Sequence, residues 1–360
     1  MPLLQLPPEI LTHVMDHVGS SYFQQDPGRL TISKRWFIFA RAACFDDLRL
    51  TRGSLRRLLS SRYVGESLPL ISMNLESLDL DLEVVLSETE TTTPPTGEPL
   101  TPLPDAGAAD ASDEDEHLAQ AQLAAREAFN DDLARLAPVA NKSQKLRTVR
   151  IQGVGRYSEV LHRCAFVPPA TIGALLSAEN LTVLELDLFG VFLTGRQFDR
   201  RHDYHVCTTI GALLTQLTRL RLRMYSICTE ALRPQTPDDG LRLSEVVVNL
   251  GMYNDSPAKT SVSHATSCAG GGVLKLAADM QAQAAALAAR MASPKTVRVL
   301  TYGLPHLKVQ ATDVLTGKKM ILEDGMGWED DGEPEVEDVG PDSEPESEVT
   351  SLEWSEPSNE

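Results

Sequence analysis

A duplicated hexapeptide constrains this chain more than any other feature. TIGALL occurs at 171–176 and again at 209–214, and each copy precedes a strand-like run, NLTVLELDL at 180–188 and QLTRLRLRM at 216–224. Self-similarity at such a period marks stacked units, each burying its apolar side against the next. Aligned on the pattern apolar-x-x-apolar-x-apolar, segments begin at Leu75, Leu146, Leu181, Leu217 and Leu243, and a sixth, VRVLTY, begins at Val297 after an Ala-rich stretch over 273–292. Spacings of 35, 36 and 26 residues between the middle segments leave room for one helix and one strand per unit. This predicts an α/β fold, a parallel β-α solenoid with strands in the order 75, 146, 181, 217.

These segments resemble a leucine-rich repeat in degenerate form, with Glu83, Val154, Phe189, Tyr225 and Gly251 standing where that family has an asparagine or cysteine. The fifth pattern position reads Asp79, Arg150, Glu185 and Arg221, and Asp187 aligns with Arg223. Neighbouring strands lie about 4.8 Å apart, so these side chains should form an alternating charge ladder on one face. Such a ladder has two readings. It is either a set of surface ion pairs that fix register, each contributing well under about 1 kcal/mol, or a face that reads a protein substrate.

The first fifty residues follow a different pattern. Pro7 and Pro8 suit a first helical turn and Glu9 puts a negative charge at its positive end, so a helix is expected from about Pro8. Ile10, Leu11, Val14, Met15 and Val18 recur at helical spacing and Gly19 stops the run. Asp26-Pro27 is a second start, followed by a stripe of Leu30, Ser33, Trp36, Phe37, Ala40 and Cys44. A unit this small cannot cover its own apolar residues. Either the following chain or another protein should cover them.

LPPEIL at 6–11, SKRW at 33–36 and FDDLRL at 45–50 together resemble an F-box of the fungal kind. That resemblance implies docking to the Skp adaptor of SCF-type ubiquitin ligases and, through it, to a cullin-RING ligase. The matching positions are Leu6, Pro7, Pro8, Ile10, Leu11 and Val14 in the first contact segment, and Ile32, Lys34, Arg35 and Trp36 in the later one. Trp36, Leu6 and Pro7 would be the energetic anchors. An unknown protein target would then sit on the repeat body.

The formal charge of −18 is unevenly placed. Residues 323–360 hold 16 acids and no base, and residues 88–116 hold 9 acids and no base. Without those twenty-five acids the remainder is +7, so overall acidity says little about a binding face. Both acidic segments are too poor in bulky apolar residues to offset their ordering entropy, and disorder is expected over 86–116 and from 323 onward. Within them Ser112, Ser343 and Thr350 each have an acid three residues on, a pattern suited to acidophilic phosphorylation, and Trp328, or Trp354 with Leu352, could form a short partner motif. Five cysteines, Cys44, Cys164, Cys207, Cys228 and Cys268, form no CxxC pair, which predicts reduced thiols in cytoplasm or nucleus. No secretory signal or apolar run of about 20 residues is evident, so no membrane contact is expected.

The chain offers no recognisable catalytic set. G-x-S-x-G, H-E-x-x-H and the nucleotide-binding glycine motifs are absent, and the glycines of the polar loop 253–272 read as a flexible connection. RRHDYHVC at 200–207 gathers His202, Asp203, His205 and Cys207 but lacks the second pair a structural zinc site supplies, so it reads as a solvated loop. Arg219, Arg221 and Arg223 alternate along one strand as on any solvated strand, and nucleic acid is not the expected partner. The resulting organisation is a helical F-box-like unit at 1–50, a first helix-strand unit at 51–85, a disordered insert at 86–116, the repeat body at 117–322 and a disordered tail at 323–360. It is a non-enzymatic receptor without cofactor, or alternatively a repeat scaffold whose N-terminal helices cap the solenoid.

Overall fold

A computed structural model of the chain describes residues 5–82, 111–153, 165–189, 191–193, 205–224, 226–236, 240–251, 272–303, 308–323 and 325–334. The helices are α1 Pro8–Val18, α2 Ser20–Gln25, α3 Lys34–Ala43, α4 Arg52–Ser60, α5 Val64–Asn74, α6 Ala111–Asn141, α7 Pro169–Leu175, α8 Cys207–Leu213 and α9 Gly272–Ala288. The strands are β1 Asp47–Thr51, β2 Ser77–Asp81, β3 Thr148–Gln152, β4 Ala165–Val167, β5 Val183–Leu188, β6 Val191–Leu193, β7 Arg219–Met224, β8 Glu245–Asn249, β9 Thr296–Gly303, β10 Lys308–Asp313, β11 Lys319–Leu322 and β12 Glu333–Pro334.

The chain is α/β. One ten-stranded sheet runs β1-β2-β3-β5-β7-β8-β9-β10-β11-β12, parallel as far as β9 and antiparallel beyond it, and β4 pairs with β6 separately. Parallel sheets are usually buried on both faces and read as continuous apolar runs. Here LELDL and RLRLRM alternate strictly, and burial alternates with them. Leu184, Leu186, Leu220, Leu222, Val246 and Val248 join one core with Leu133 and Leu136 of α6, Ile172 of α7, Ile210 of α8 and Met280 of α9. All these helices therefore lie on one face, leaving the charged positions on the other.

Strands β2, β3, β5, β7, β8 and β9 begin with the same backbone device. The amides of two consecutive residues share one carbonyl of the preceding strand start, in the series Asp46, Glu76, Arg147, Thr182, Thr218, Ser244. The Thr182, Thr218 and Ser244 hydroxyls then donate to the carbonyls of Arg147, Thr182 and Thr218 at 3.2, 3.0 and 3.1 Å. A hydroxyl ladder at the strand starts thus satisfies backbone acceptors. Leu75, Leu146, Leu181, Leu217 and Leu243, which open the aligned segments, are all buried beside it.

The structure corrects several expectations. FDDLRL is expected to lie wholly in the helical unit, yet Asp47–Thr51 is β1, paired in parallel with β2, so the sheet begins near residue 47. The strand requires only alternation, and Leu48 and Leu50 supply it by burying beside Leu78 and Leu80. Disorder is expected over 86–116, yet α6 begins at Ala111, so the last six residues of the insert are helical. The tail is not unstructured from 323, because residues 325–334 are placed against the sheet and include β12. The rest of the acidic insert (86–110), the loop over 253–271, His202 and Asp203, and the tail from 335 with Ser343, Thr350 and Trp354 lie outside the described residues. No helix among the described residues is long and apolar enough to cross a membrane.

Candidate functional site

Two faces carry the residues singled out from sequence. The first is the helical unit. α1 starts at Pro8 with Glu9 in its first turn, and Gly19, at φ 79°, ends it. Asp26 accepts from the Gly28 amide at 2.9 Å and opens a 3-10 turn, while Ser33 accepts from the Trp36 amide at 3.1 Å and caps α3. The unit has its own small core of Met15, Phe23, Trp36, Ala40 and Ala43, separate from the main core. Arg35 Nη2 donates to the Leu6 carbonyl at 3.1 Å, which holds the start of α3 against the start of α1.

Of the ten positions matched to an F-box, Pro7, Pro8, Ile10, Ile32, Lys34 and Arg35 are exposed, Leu6 and Val14 are half-buried, and Leu11 and Trp36 are buried. Trp36 is 9% exposed, its Nε1 donates to the Arg29 carbonyl at 2.7 Å, and its ring meets Phe23 edge-on at 6.2 Å. It is therefore a core residue of the unit and not a free anchor, which corrects its sequence-based role; Leu11 is corrected for the same reason. Among the described residues, five of the nine exposed large apolar side chains fall within residues 10–38: Ile10, Tyr22, Ile32, Phe37 and Ile38. Apolar exposure is thus concentrated on this unit.

The second face is the charge ladder. Across the sheet Arg49, Asp79, Arg150, Glu185, Arg221, Val247 and Arg298 stand in register, and Asp187 stands beside Arg223. The predicted order of strands and their common face both hold. Arg49 meets Asp79 at 3.5 Å and Arg150 meets Glu185 at 3.0 Å. Arg223 grips Asp187 through Nε and Nη2 at 2.7 and 2.6 Å, and the Phe189 and Trp328 rings each lie 4.9 Å from its guanidinium carbon.

Arg221 departs from the expected pairing. Its cross-strand neighbour Glu185 turns to Arg150 and, at 3.8 Å, to Arg219, while Arg221 Nη2 reaches Glu329 of the C-terminal segment at 2.6 Å. That hydrogen bond holds the Glu329 carboxyl below its ordinary range. Arg219 is raised by its bond to Glu245. Burial pushes the Asp79 carboxyl up in spite of Arg49 and Arg150. Gln152, Glu185, Asp187 and Arg221 on the sheet and Trp328 and Glu329 above it enclose a cavity of about 250 Å³. The hairpin β10-β11 and residues 326–334 were missed by sequence reasoning; the signal was the pair Met326 and Trp328 within an otherwise acidic run.

A larger cavity of about 760 Å³ lies between α4 and α6. Its arginines are already engaged, Arg52 with the Ala125 carbonyl and the Phe129 ring and Arg56 with Asp132. The cluster at 200–207 is not simply a solvated loop. Cys207 is buried at the start of α8, and Cys228, 21 residues on, joins it and His205 with all three donor atoms within 4.8 Å of one another.

No family model matches this sequence, and no curated protein matches it.

Proposed function

We propose that the protein is a non-catalytic substrate-recognition subunit. In this reading the F-box-like helical unit docks the Skp adaptor of an SCF-type ubiquitin ligase, and an irregular leucine-rich-repeat-like body presents a protein target, in cytoplasm or nucleus. The observation that carries it is the concentration of exposed apolar side chains on a unit that already has its own core. Ile10, Ile32, Phe37 and Ile38 lie outside that core, and apolar side chains left exposed together on one small unit are the kind of surface a partner protein covers. Catalysis would be supplied by other subunits through proximity.

A second reading is a scaffold without a ligase, in which the helices cap the end of the repeat. Gln24 favours it, since its side-chain amide donates to the Cys44 carbonyl at 3.0 Å and to the Asp47 carbonyl at 2.5 Å and so ties the unit to the edge strand.

Co-purification with the Skp adaptor separates the two. The wild type should form a stable complex, and Ile10→Asp with Ile32→Asp, both at exposed positions, should weaken it at least about 30-fold, the loss expected of one central anchor. Absence of a wild-type complex, or a double variant that binds equally well, leaves the scaffold reading.

A further inference from the structure

The C-terminal segment is seated on the ladder face as a ligand would be. Met326 and Trp328 pack with Val247, Leu300, Ala311, Met320 and Leu322 on the side of the sheet away from the helices. Glu329 binds Arg221, Asp331 binds Arg298 Nη2 at 2.6 Å, and the Asp330 carbonyl accepts from Arg298 Nη1 at 2.8 Å. Asp330 also folds the segment on itself, accepting from the Gly327 amide at 2.6 Å.

Yet the fit leaves donors over. The Nε groups of Arg221 and Arg298 are buried and have no hydrogen-bond partner, while Asp331, opposite Arg298, is 86% exposed. Arg223 shows what a guanidinium on this sheet does with a well-placed carboxylate: it uses Nε and Nη2 together. The segment therefore satisfies the aromatic and charge requirements of the groove but under-uses its arginines, and an unsatisfied buried donor is costly. Competing carboxylates in a better position have something to gain.

We infer that the ladder face between β5 and β9 is a binding groove for an acidic peptide bearing an aromatic side chain, closed in cis by Met326–Asp331, which gives way to such a peptide from a partner protein. This rests on the reading of the ladder face as the target-binding face, and it is independent of adaptor docking. The aromatic residue takes the place of Trp328 beside Arg223, and two carboxylates reach Arg221 and Arg298. The segment then acts as a tethered competitor that sets a threshold for target binding.

The test uses the full chain and a labelled peptide of residues 325–334, GMGWEDDGEP, by fluorescence anisotropy without adaptor. Full-length protein carrying Trp328→Ala, Glu329→Ala and Asp331→Ala should bind this peptide at least about tenfold more tightly than wild type, since a tethered segment competes at an effective concentration near the millimolar range. Adding salt or Arg221→Gln should weaken that binding, and a peptide with its acids changed to lysine should fail. Equal binding to wild type and triple variant, no binding to the triple variant up to about 1 mM peptide, or undiminished binding of the lysine peptide would each overturn the proposal. Adaptor capture, measured separately, is unaffected by any of these outcomes.

A second site stands on different residues. Cys228 Sγ lies 3.9 Å from His205 Nδ1, and tetrahedral zinc with bonds of about 2.3 Å to sulfur and 2.0 Å to nitrogen sets such a pair roughly 3.5 Å apart. The Cys228 amide donates to Cys207 Sγ at 3.4 Å, and the same sulfur lies 3.9 Å from the Ser226 carbonyl oxygen. We propose that His205, Cys207 and Cys228 bind a zinc ion with water completing the tetrahedron. Half-buried His205 gives the access route. Titrating the full chain with cobalt should give one equivalent of thiolate-to-cobalt charge-transfer absorbance, displaced by zinc and lost in both Cys207→Ser and Cys228→Ser. No band, or a band that survives both substitutions and so reflects adventitious thiols, would refute the site.

Discussion

Replacing Gly211 by alanine is expected to destabilise the protein by about 2–3 kcal/mol, the upper part of the range of about 1–3 kcal/mol for forcing an extra group into a packed interior. The sign is the informative part. Glycine inside a helix normally costs about 0.5–1 kcal/mol relative to alanine, so the same substitution at an unconstrained helical site stabilises. Gly211 lies in α8, whose packing partner is the 3-10 turn Thr229–Leu232, and a Cβ there would sit 2.5 Å from the Glu230 carbonyl oxygen and 2.7 Å from that of Arg233. Backbone oxygens cannot rotate away as a side chain would. Gly53 in α4 has nothing within 4 Å of its would-be Cβ, so Gly53→Ala should be neutral or mildly stabilising. Thermal melts of the two variants should move in opposite directions, with Gly211→Ala falling by roughly 3–4 °C for a chain of this size. A Gly211→Ala protein as stable as wild type would show that α8 does not approach the turn so closely.

The second large effect is local. Trp36→Ala should unfold the helical unit while leaving the sheet intact, because its cost of about 3–5 kcal/mol rivals the whole stability of so small a core. Trp36 is the largest member of a cluster completed by Met15, Phe23, Ala40 and Ala43, and none of these belongs to the main core. Hydrogen exchange gives the readout: amides of α1 and α3 should lose protection while those of β3, β5 and β7 keep theirs. Ile10→Ala, at a position 49% exposed, should change stability by no more than about 0.5 kcal/mol. Unchanged protection of α1 and α3 in Trp36→Ala would refute the separate core. The contrast matters for any binding assay, since loss of adaptor capture in a Trp36 variant would report unfolding, whereas loss in an Ile10 variant would report a missing contact.

Much of the sheet was legible in the sequence because strand alternation has a period of two. A slip of one residue would turn Glu185 and Asp187 into the core and Leu184 and Leu186 into solvent, so the apolar pattern fixes both face and register. The repeated TIGALL was equally informative, since both copies supply a short helix, α7 and α8, ahead of a strand. The Thr182, Thr218 and Ser244 series was present in the aligned segments too, directly after each leading leucine. What it does, bonding one turn to the next, becomes visible only once the strands are adjacent.

Local pattern alone therefore determined the helix start at Pro8, the order of the parallel strands and the common face of Asp79, Arg150, Glu185 and Arg221, because each depends on residues a few positions apart or on an exact repeat, whereas the second start expected at Asp26-Pro27 opens only a 3-10 turn and α3 begins after Ser33. Tertiary structure alone decided that Trp36 is buried, that Arg221 takes Glu329 in preference to its register neighbour, that Arg298 meets Asp331, and that Cys228 comes to His205 and Cys207. Those choices are made between groups separated by up to about a hundred residues, where partner selection depends on the path of the backbone in space and on which carboxylate can reach a guanidinium first, and neither quantity is written in any local run of sequence.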